Sequence, residues 1–266
     1  MIDGARGALP LGAPTPGASF TDLLDDLGLV RRWVPPSRDG GRLPGAPEGT
    51  TVLALRYADG VVMAGDRQAT EGNLVAHKSI QKVFAADRYS AVAIAGTAGL
   101  ALEMVHLFQV ELEHYEKIEG IRLSLDGKAN YLARLVRSHL PMAFQGLVVV
   151  PLFAGYDEQT HTGRLYSFDV VGGRYEERDF ASTGSGSRLA KSYLRTVWRQ
   201  DLGEQDGLDM AVEALVAAAQ EDTATGGPDL QRGILPTVVV IDRDGVRDAG
   251  QDVIHRAAVA AIEAVR

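Results

Sequence analysis

From Thr50 onward, strand-like and helix-like segments come in groups rather than in alternation, and that grouping leaves few architectures open. Thr51 to Tyr57 and Val61 to Ala64 read as strands meeting at Asp59-Gly60, a hairpin signal. Ser79 to Ala85 and Tyr89 to Ala95 form a second pair around Asp87-Arg88. Helical apolar spacing follows over Ala98 to Ile118 and Leu125 to Phe144. The pattern then repeats: strands over Leu147 to Gly155, Arg164 to Val171 and Arg174 to Ala181, the last two joined at Gly172-Gly173, then helices over Ser187 to Arg199 and Leu208 to Gln220. Pro236 to Ile241 and Val246 to Asp248 make a closing hairpin at Asp244-Gly245, before a final helix over Gln251 to Val265. Alternating βαβ units would build a parallel sheet, whereas grouped hairpins build antiparallel ones. Two such sheets stacked face to face, each covered outside by a helix pair, bury every apolar face. The expected fold is therefore α+β, a four-layer αββα sandwich.

The segment before Thr50 has another texture. Residues 1–18 are rich in Gly, Ala and Pro, a composition expected to be disordered. Phe20, Leu23, Leu24, Leu27 and Val30 recur at helical spacing, which predicts a short amphipathic helix over 19–30. Residues 35–48 return to Pro, Gly and Arg and read as a linker. Residues 1–49 are thus expected to be a leader and 50–266 one catalytic domain. Cutting between Gly49 and Thr50 would turn an interior threonine into an N-terminal one, whose α-amine can act as base for its own hydroxyl.

Composition narrows the function classes. The chain of 266 residues is 45% hydrophobic and carries a net charge of −8, without the basic face of a nucleic-acid binder. It contains no cysteine, so disulfides and thiol catalysis are excluded, and a reducing cytoplasm is the expected location. No apolar stretch approaches the length of a membrane helix, and the start of the chain lacks the pattern of a secretory signal. The six histidines are scattered without metal-ligand spacing, and no metal or other cofactor is expected.

Hairpin counting brings the chemistry together. With Asp59-Gly60 as a two-residue loop, Leu53 falls opposite Asp66, which lies near the strand end that carries Thr50. The same count sets Ser79 across from about Gly96, with Lys82 a few residues further in. A threonine hydroxyl is a poor nucleophile, and an α-amine with a pKa of roughly 7.7–8 is partly neutral near pH 7 and can take its proton. Lys82, held charged by Asp66, would lower the hydroxyl pKa. Gly96, at a strand end before a helix, could aim its N–H at a developing oxyanion. Singly these residues have duller explanations, as a strand start, a turn aspartate, a solvated lysine and a strand-ending glycine. Their joint occurrence beside a cleavable Gly-Thr junction is the informative feature.

The motifs also resemble a family. Thr50-Thr51, Gly65-Asp66-Arg67-Gln68-Ala69-Thr70, Lys82-Val83, Ala95-Gly96-Thr97-Ala98-Gly99, Gly184-Ser185-Gly186-Ser187 and Asp222-Thr223-Ala224-Thr225-Gly226-Gly227 are similar to those of proteasome β-subunits, in order and over about 50–250. Glu111-Leu112-Glu113-His114-Tyr115-Glu116-Lys117 and Thr225-Gly226-Gly227-Pro228-Asp229-Leu230 are closest to the actinobacterial type. The resemblance implies the N-terminal-nucleophile hydrolase fold, Thr50 as nucleophile, Asp66 and Lys82 as its supporting pair and Gly96 in the oxyanion hole. Ser185 and Asp222 match groups that hold the N-terminal amine. Thr225 stands where the family often has serine and keeps the hydroxyl. Thr70 matches the strand position whose backbone pairs with a substrate peptide, and Ala69, Ile80, Phe84, Ile94 and Ala98 match the pocket for the residue before the cut.

The implied activity is that of a threonine endopeptidase, made as a zymogen, that cuts itself between Gly49 and Thr50. The implied assembly is two stacked heptameric rings of β-subunits closed by α-subunit rings, with a regulatory ATPase ring feeding in unfolded polypeptides. A non-catalytic ring subunit of the same fold is the alternative. Such subunits lose the Thr, the Lys or the cleavable Gly-Thr junction, and all three are present here.

Overall fold

The computed structural model describes residues 49–71, 74–77 and 79–265. The leader helix expected over 19–30, and the rest of the arm before Gly49, lie outside the described residues. Strands β1 (Thr51–Tyr57), β2 (Gly60–Gly65), β3 (Ala69–Glu71), β4 (Leu74–His77), β5 (Val83–Asp87) and β6 (Ser90–Gly96) come first. Helices α1 (Ala98–Glu119), α2 (Leu125–Ser138) and the short α3 (Leu140–Ala143) follow. Then come β7 (Val149–Asp157), β8 (Thr162–Phe168), β9 (Arg174–Glu177), β10 (Phe180–Gly184), α4 (Ser187–Val197) and α5 (Glu204–Glu221). β11 (Thr237–Asp242), β12 (Gly245–Asp248) and α6 (Gln251–Ala264) end the chain.

Two five-stranded antiparallel sheets form, in the orders β10-β1-β2-β11-β12 and β5-β6-β7-β8-β9, with β3 and β4 as a separate ribbon. Strand residues of alternate parity point to opposite faces, and this places the layers. Val52, Ala54, Val61 and Met63 of the first sheet meet Ala91, Ala93, Leu152 and Leu165 of the second in a buried apolar middle layer. Their neighbours Leu53, Leu55, Val62 and Ala64 face outward onto Leu194, Leu215 and Ile254 of α4, α5 and α6. Val92, Ile94, Phe153 and Tyr166 face the other way onto Phe108 and Leu132 of α1 and α2. The result is the expected αββα sandwich, with three helices rather than a pair on the first sheet.

Phe153 is fully buried in the outer layer, edge-on to Phe108 at 5.7 Å and stacked with Tyr166 at 6.0 Å between centroids. Phe153→Ala is expected to cost about 3–5 kcal/mol, because the site is enclosed on all sides and cannot collapse. Chemical denaturation of the folded subunit measures this, and a loss under about 1 kcal/mol would mean the layer relaxes around the hole.

Several boundaries differ from expectation. The first hairpin turns at Ala58-Asp59, with Tyr57 opposite Gly60, so Leu53 pairs with Ala64 rather than Asp66. Gly60 is a strand residue, required there because a Cβ would collide with the Ile241 carbonyl of neighbouring β11. In the second hairpin Ser79 lies outside the strand and Lys82 sits across from Ile94, which donates to its carbonyl at 2.9 Å. The single strand expected over 174–181 is two, and they belong to different sheets: β9 edges the second and β10 the first. The helix expected to run to Phe144 ends at Ser138, and a separate short helix, Leu140–Ala143 with Pro141 in its first turn, follows His139. The β3–β4 ribbon was not expected from the residue pattern, and only the resemblance set a strand position at Thr70.

Candidate active site

The corrected register brings the start of β1 and the end of β2 together. Asp66 follows β2 directly and is level with Thr51: Asp66 N–H donates to Thr51 O at 3.1 Å, and Thr51 N–H donates to Asp66 Oδ1 at 2.8 Å. Lys82, entering β5 in the facing sheet, reaches across and places Nζ 2.6 Å from Asp66 Oδ1. Both side chains are shut off from solvent, at 3% and 0% exposure, so this ion pair sits where water screens it little. Asp66 Oδ2 accepts from the Gln68 N–H at 3.0 Å and the Gly226 N–H at 2.9 Å. The carboxylate therefore ties together the β1–β2 hairpin, the second sheet and the loop after α5.

Lys82 Nζ also donates to the Gln68 carbonyl and, at 3.3 Å, to the Gly49 carbonyl. An ammonium has three protons, and here each has an acceptor. Burial pushes the Lys82 pKa below the ordinary lysine value, and the Asp66 charge opposes that shift. Thr50 Oγ1 donates to the same Gly49 carbonyl oxygen at 2.8 Å. One carbonyl, that of the residue joined to Thr50, thus receives both the hydroxyl and the ammonium.

A second set of contacts fixes the chain around Thr50 from behind. The Ser185 N–H donates to Thr50 O at 2.9 Å, and Ser185 Oγ lies 3.4 Å from the same oxygen. Asp222 Oδ2 accepts from Thr225 Oγ1 at 2.5 Å, and Thr225 Oγ1 in turn lies 2.6 Å from Thr51 Oγ1, which accepts from the Gly186 N–H at 2.8 Å. Thr51 is the link in this relay, and the sequence reading passed over it. Its hydroxyl carries no signal of its own in a strand of apolar residues.

In front of Thr50 is a cleft of about 330 Å³, open solvent included. Of the expected lining residues, Ala69, Ile80, Ile94 and Ala98 line it, together with Lys82 and Gly96. Gly96 has φ +113°, and a Cβ there would strike the Val148 carbonyl, so the backbone can come this close to β7 only as glycine. Phe84 does not line the cleft; it packs against the α1–α2 side of the second sheet. Thr70 is buried beside Gly49 rather than in the cleft. Gln81, Ala101 and Leu102 complete the lining and were missed. Ala101 and Leu102 lie three and four residues after Ala98, on one face of the first turns of α1, so helical spacing alone could have found them.

Comparison with known proteins points in one direction. The family model described as "Proteasome subunit" matches residues 46–229. A protein named "Proteasome subunit beta" from Acidimicrobium ferrooxidans is 54% identical over 266 residues, covering 99% of this chain and 97% of its own length. Proteins of the same name from Streptomyces griseus and Jonesia denitrificans are 54% and 53% identical, covering 91% and 92% of this chain and 87% and 82% of their own lengths.

Proposed function

The chain belongs to the proteasome subunit family, as a β-subunit, and from that premise we propose that it is a threonine-type endopeptidase made as a zymogen, with Thr50 as nucleophile. The observation that carries the reading is the Gly49–Thr50 junction itself. The hydroxyl of Thr50 and the ammonium of Lys82 both bond the carbonyl that would be attacked first.

In the uncut chain Thr50 N is a peptide nitrogen and cannot serve as base. Thr50 Oγ1 attacks the Gly49 carbonyl carbon, closing a five-membered ring through its own Cβ, Cα and N. The C–N bond then breaks, the hydroxyl proton ends on nitrogen, and the leader is held as an ester that water hydrolyses. The reacting atoms already belong to adjacent residues, which favours self-processing over cutting by a second molecule. Residues 1–49 leave, and 50–266 remain as the mature domain.

In the mature subunit the freed amine accepts the hydroxyl proton as Thr50 attacks a substrate carbonyl. Lys82 stabilises the alkoxide through space and Asp66 holds Lys82 in place. The Gly96 N–H receives the oxyanion. Ser185, Asp222 and Thr225 hold the new N-terminus. The amine passes its proton to the leaving nitrogen, and water releases the ester. Ala69, Ile80, Ile94 and Ala98 receive the side chain before the cut, and the backbone of Thr70 aligns the substrate strand. Polypeptide substrates, two stacked heptameric rings, α-subunit end rings, a regulatory ATPase ring and a cytoplasmic location belong to the same proposal. Among the described residues no helix is long and apolar enough to cross a membrane.

The pH profile of peptide cleavage by the assembled particle tests the assignment of base and cation. Protonation of the amine removes the base, so kcat/KM is expected to fall about tenfold per pH unit below a pKa of roughly 7–8. Loss of the Lys82 charge gives an alkaline limb, which lies below the ordinary lysine value of 10.5 because burial lowers this pKa. A profile flat down to about pH 5 would remove the amine as base.

A further inference from the structure

The hydroxyl relay behind Thr50 runs in one direction only. A carboxylate has no proton to give, so the single proton of Thr225 Oγ1 goes to Asp222 Oδ2, at 2.5 Å. The 2.6 Å contact between Thr225 Oγ1 and Thr51 Oγ1 is then a donation by Thr51. That uses the one proton of Thr51, whose oxygen accepts from the Gly186 N–H at 2.8 Å. Gly186 is the N-cap of α4, and only its lack of a side chain admits both hydroxyls: a Cβ there would stand 2.5 Å from Thr225 Oγ1 and 2.7 Å from Thr51 Oγ1. Thr51 and Thr225 are buried, at 0% and 4% exposure, so bulk water is kept from these bonds.

The relay joins the positive end of a helix dipole to a negative charge. α4 runs over 11 residues and has no acidic side chain in its first turn to meet that dipole. Hydrogen bonds in series polarise one another, more strongly away from water. Few charged groups gather at Thr50. Asp66, from the end of β2, and Lys82, from the entry to β5, are bonded to each other at 2.6 Å. Asp222 comes from the loop after α5. Burial lowers the Lys82 pKa and the charges of Asp66 and Asp222 both oppose that, so Asp222 acts on the same space. The loop between β10 and α4 brings the neutral Ser185, and Arg188, in the first turn of α4, is exposed. Among the described residues the partners of the Asp222 carboxylate are neutral: the Thr225 hydroxyl and, at 3.1 Å, the Ala224 N–H.

A carboxylate beside an amine favours the ammonium form, and spreading the carboxylate charge weakens that preference. We propose that Thr51 is a positioning residue whose hydroxyl couples the N-terminus of α4 through Thr225 to Asp222, and that the amine freed at Thr50 thereby stays an unprotonated base to lower pH. The Thr51 side chain does not border the cleft, so it acts through Thr225 and Asp222 and not on substrate. The proposal rests on the reading of the Thr50 amine as base, held by Asp222 and Thr225.

The test is the pH dependence of kcat/KM for a chromogenic peptide, read on assembled particles whose β-chain begins at Thr50 by intact mass. Thr51→Val keeps the shape of the side chain and removes the hydroxyl. Its acid limb is expected to move up by about half a pH unit, the size of a helix-dipole contribution, with rates about threefold below the parent on that limb. On the plateau, where the amine is unprotonated in both, the two profiles should converge. Thr51→Ala removes the hydroxyl without adding a methyl and should move the limb the same way, which covers a packing fault peculiar to valine. Thr51→Ser restores the relay and should return the limb to the parent position. A merely structural role for Thr51 would lower the rate at every pH and leave the limb in place. That result, a downward shift, or a shift shared by Thr51→Ser would overturn the proposal and leave the amine as base. A parent particle without an acid limb would instead overturn the base reading, and this proposal with it.

Discussion

Thr50→Ala is expected to leave the leader attached and the assembled particle without peptidase activity, a fall of roughly 10⁴-fold or more. The size of the effect follows from the geometry. Thr50 Oγ1 is the hydroxyl bonded to the Gly49 carbonyl, at 2.8 Å, and alanine removes it. Without it neither the leader ester nor a substrate ester can form, and the amine base is never freed. The fold should be spared, because β1 starts at Thr51 and the strand pairing of Thr51 and Val52 does not use the Thr50 side chain. Two measurements check this: intact mass for the leader and hydrolysis of a chromogenic peptide for activity. A processed, active Thr50→Ala chain would contradict the mechanism as a whole. The variant also separates the two losses. If a chain expressed to begin at residue 50 with alanine there is equally inactive, the missing nucleophile and not the retained leader accounts for the lost peptidase activity.

Lys82→Ala is expected to lower kcat by about 10²–10⁴-fold with little change in KM, the effect of removing one preorganised charge at a reacting centre. Substrate is held by the cleft lining and the Thr70 strand, which keep their places, so the ground state loses little. Stability should fall by about 3 kcal/mol, the low end for breaking a buried pair. The reason for the low end is specific: Asp66 keeps backbone donors at Thr51, Gln68 and Gly226 after the lysine is gone. The particle should therefore assemble and remain inactive. Near-parental kcat in an assembled Lys82→Ala particle would take Lys82 out of the mechanism, whereas a rise in KM alone would make it a substrate-binding residue.

The layers were legible because their cause is local. Period-two strands joined by tight turns, and helix patterns in pairs, leave little freedom once all apolar faces must be covered. The register was less so. Asp59-Gly60 carries the turn signal, but Gly60 serves the approach of β11, a contact with Ile241 that no local pattern marks. The split of 174–181 between two sheets has no local mark either, since both halves read as strand and only the tertiary structure assigns them to different partners. At the site, the three chemically loud residues Thr50, Asp66 and Lys82 could be grouped from spacing, and the structure brings them together. What stayed hidden works through quiet groups. The Gln68 carbonyl accepts a hydrogen bond from Lys82 Nζ, and the Gly226 N–H donates to Asp66 Oδ2. Thr51 relays between Thr225 and Gly186. Phe84 shows the opposite error: it shares the helix side of its sheet with Ile94, but it lies opposite Val92, farther from Gly96, and packs among α1 and α2 instead of lining the cleft.

The most direct measurement is the intact mass of this chain after co-expression with its candidate α-subunit and isolation of the assembled particle. The account predicts a mature species that begins at Thr50, with residues 1–49 gone. A chain that remains full-length in an assembled particle would contradict it and would make this β-subunit a structural member of the ring.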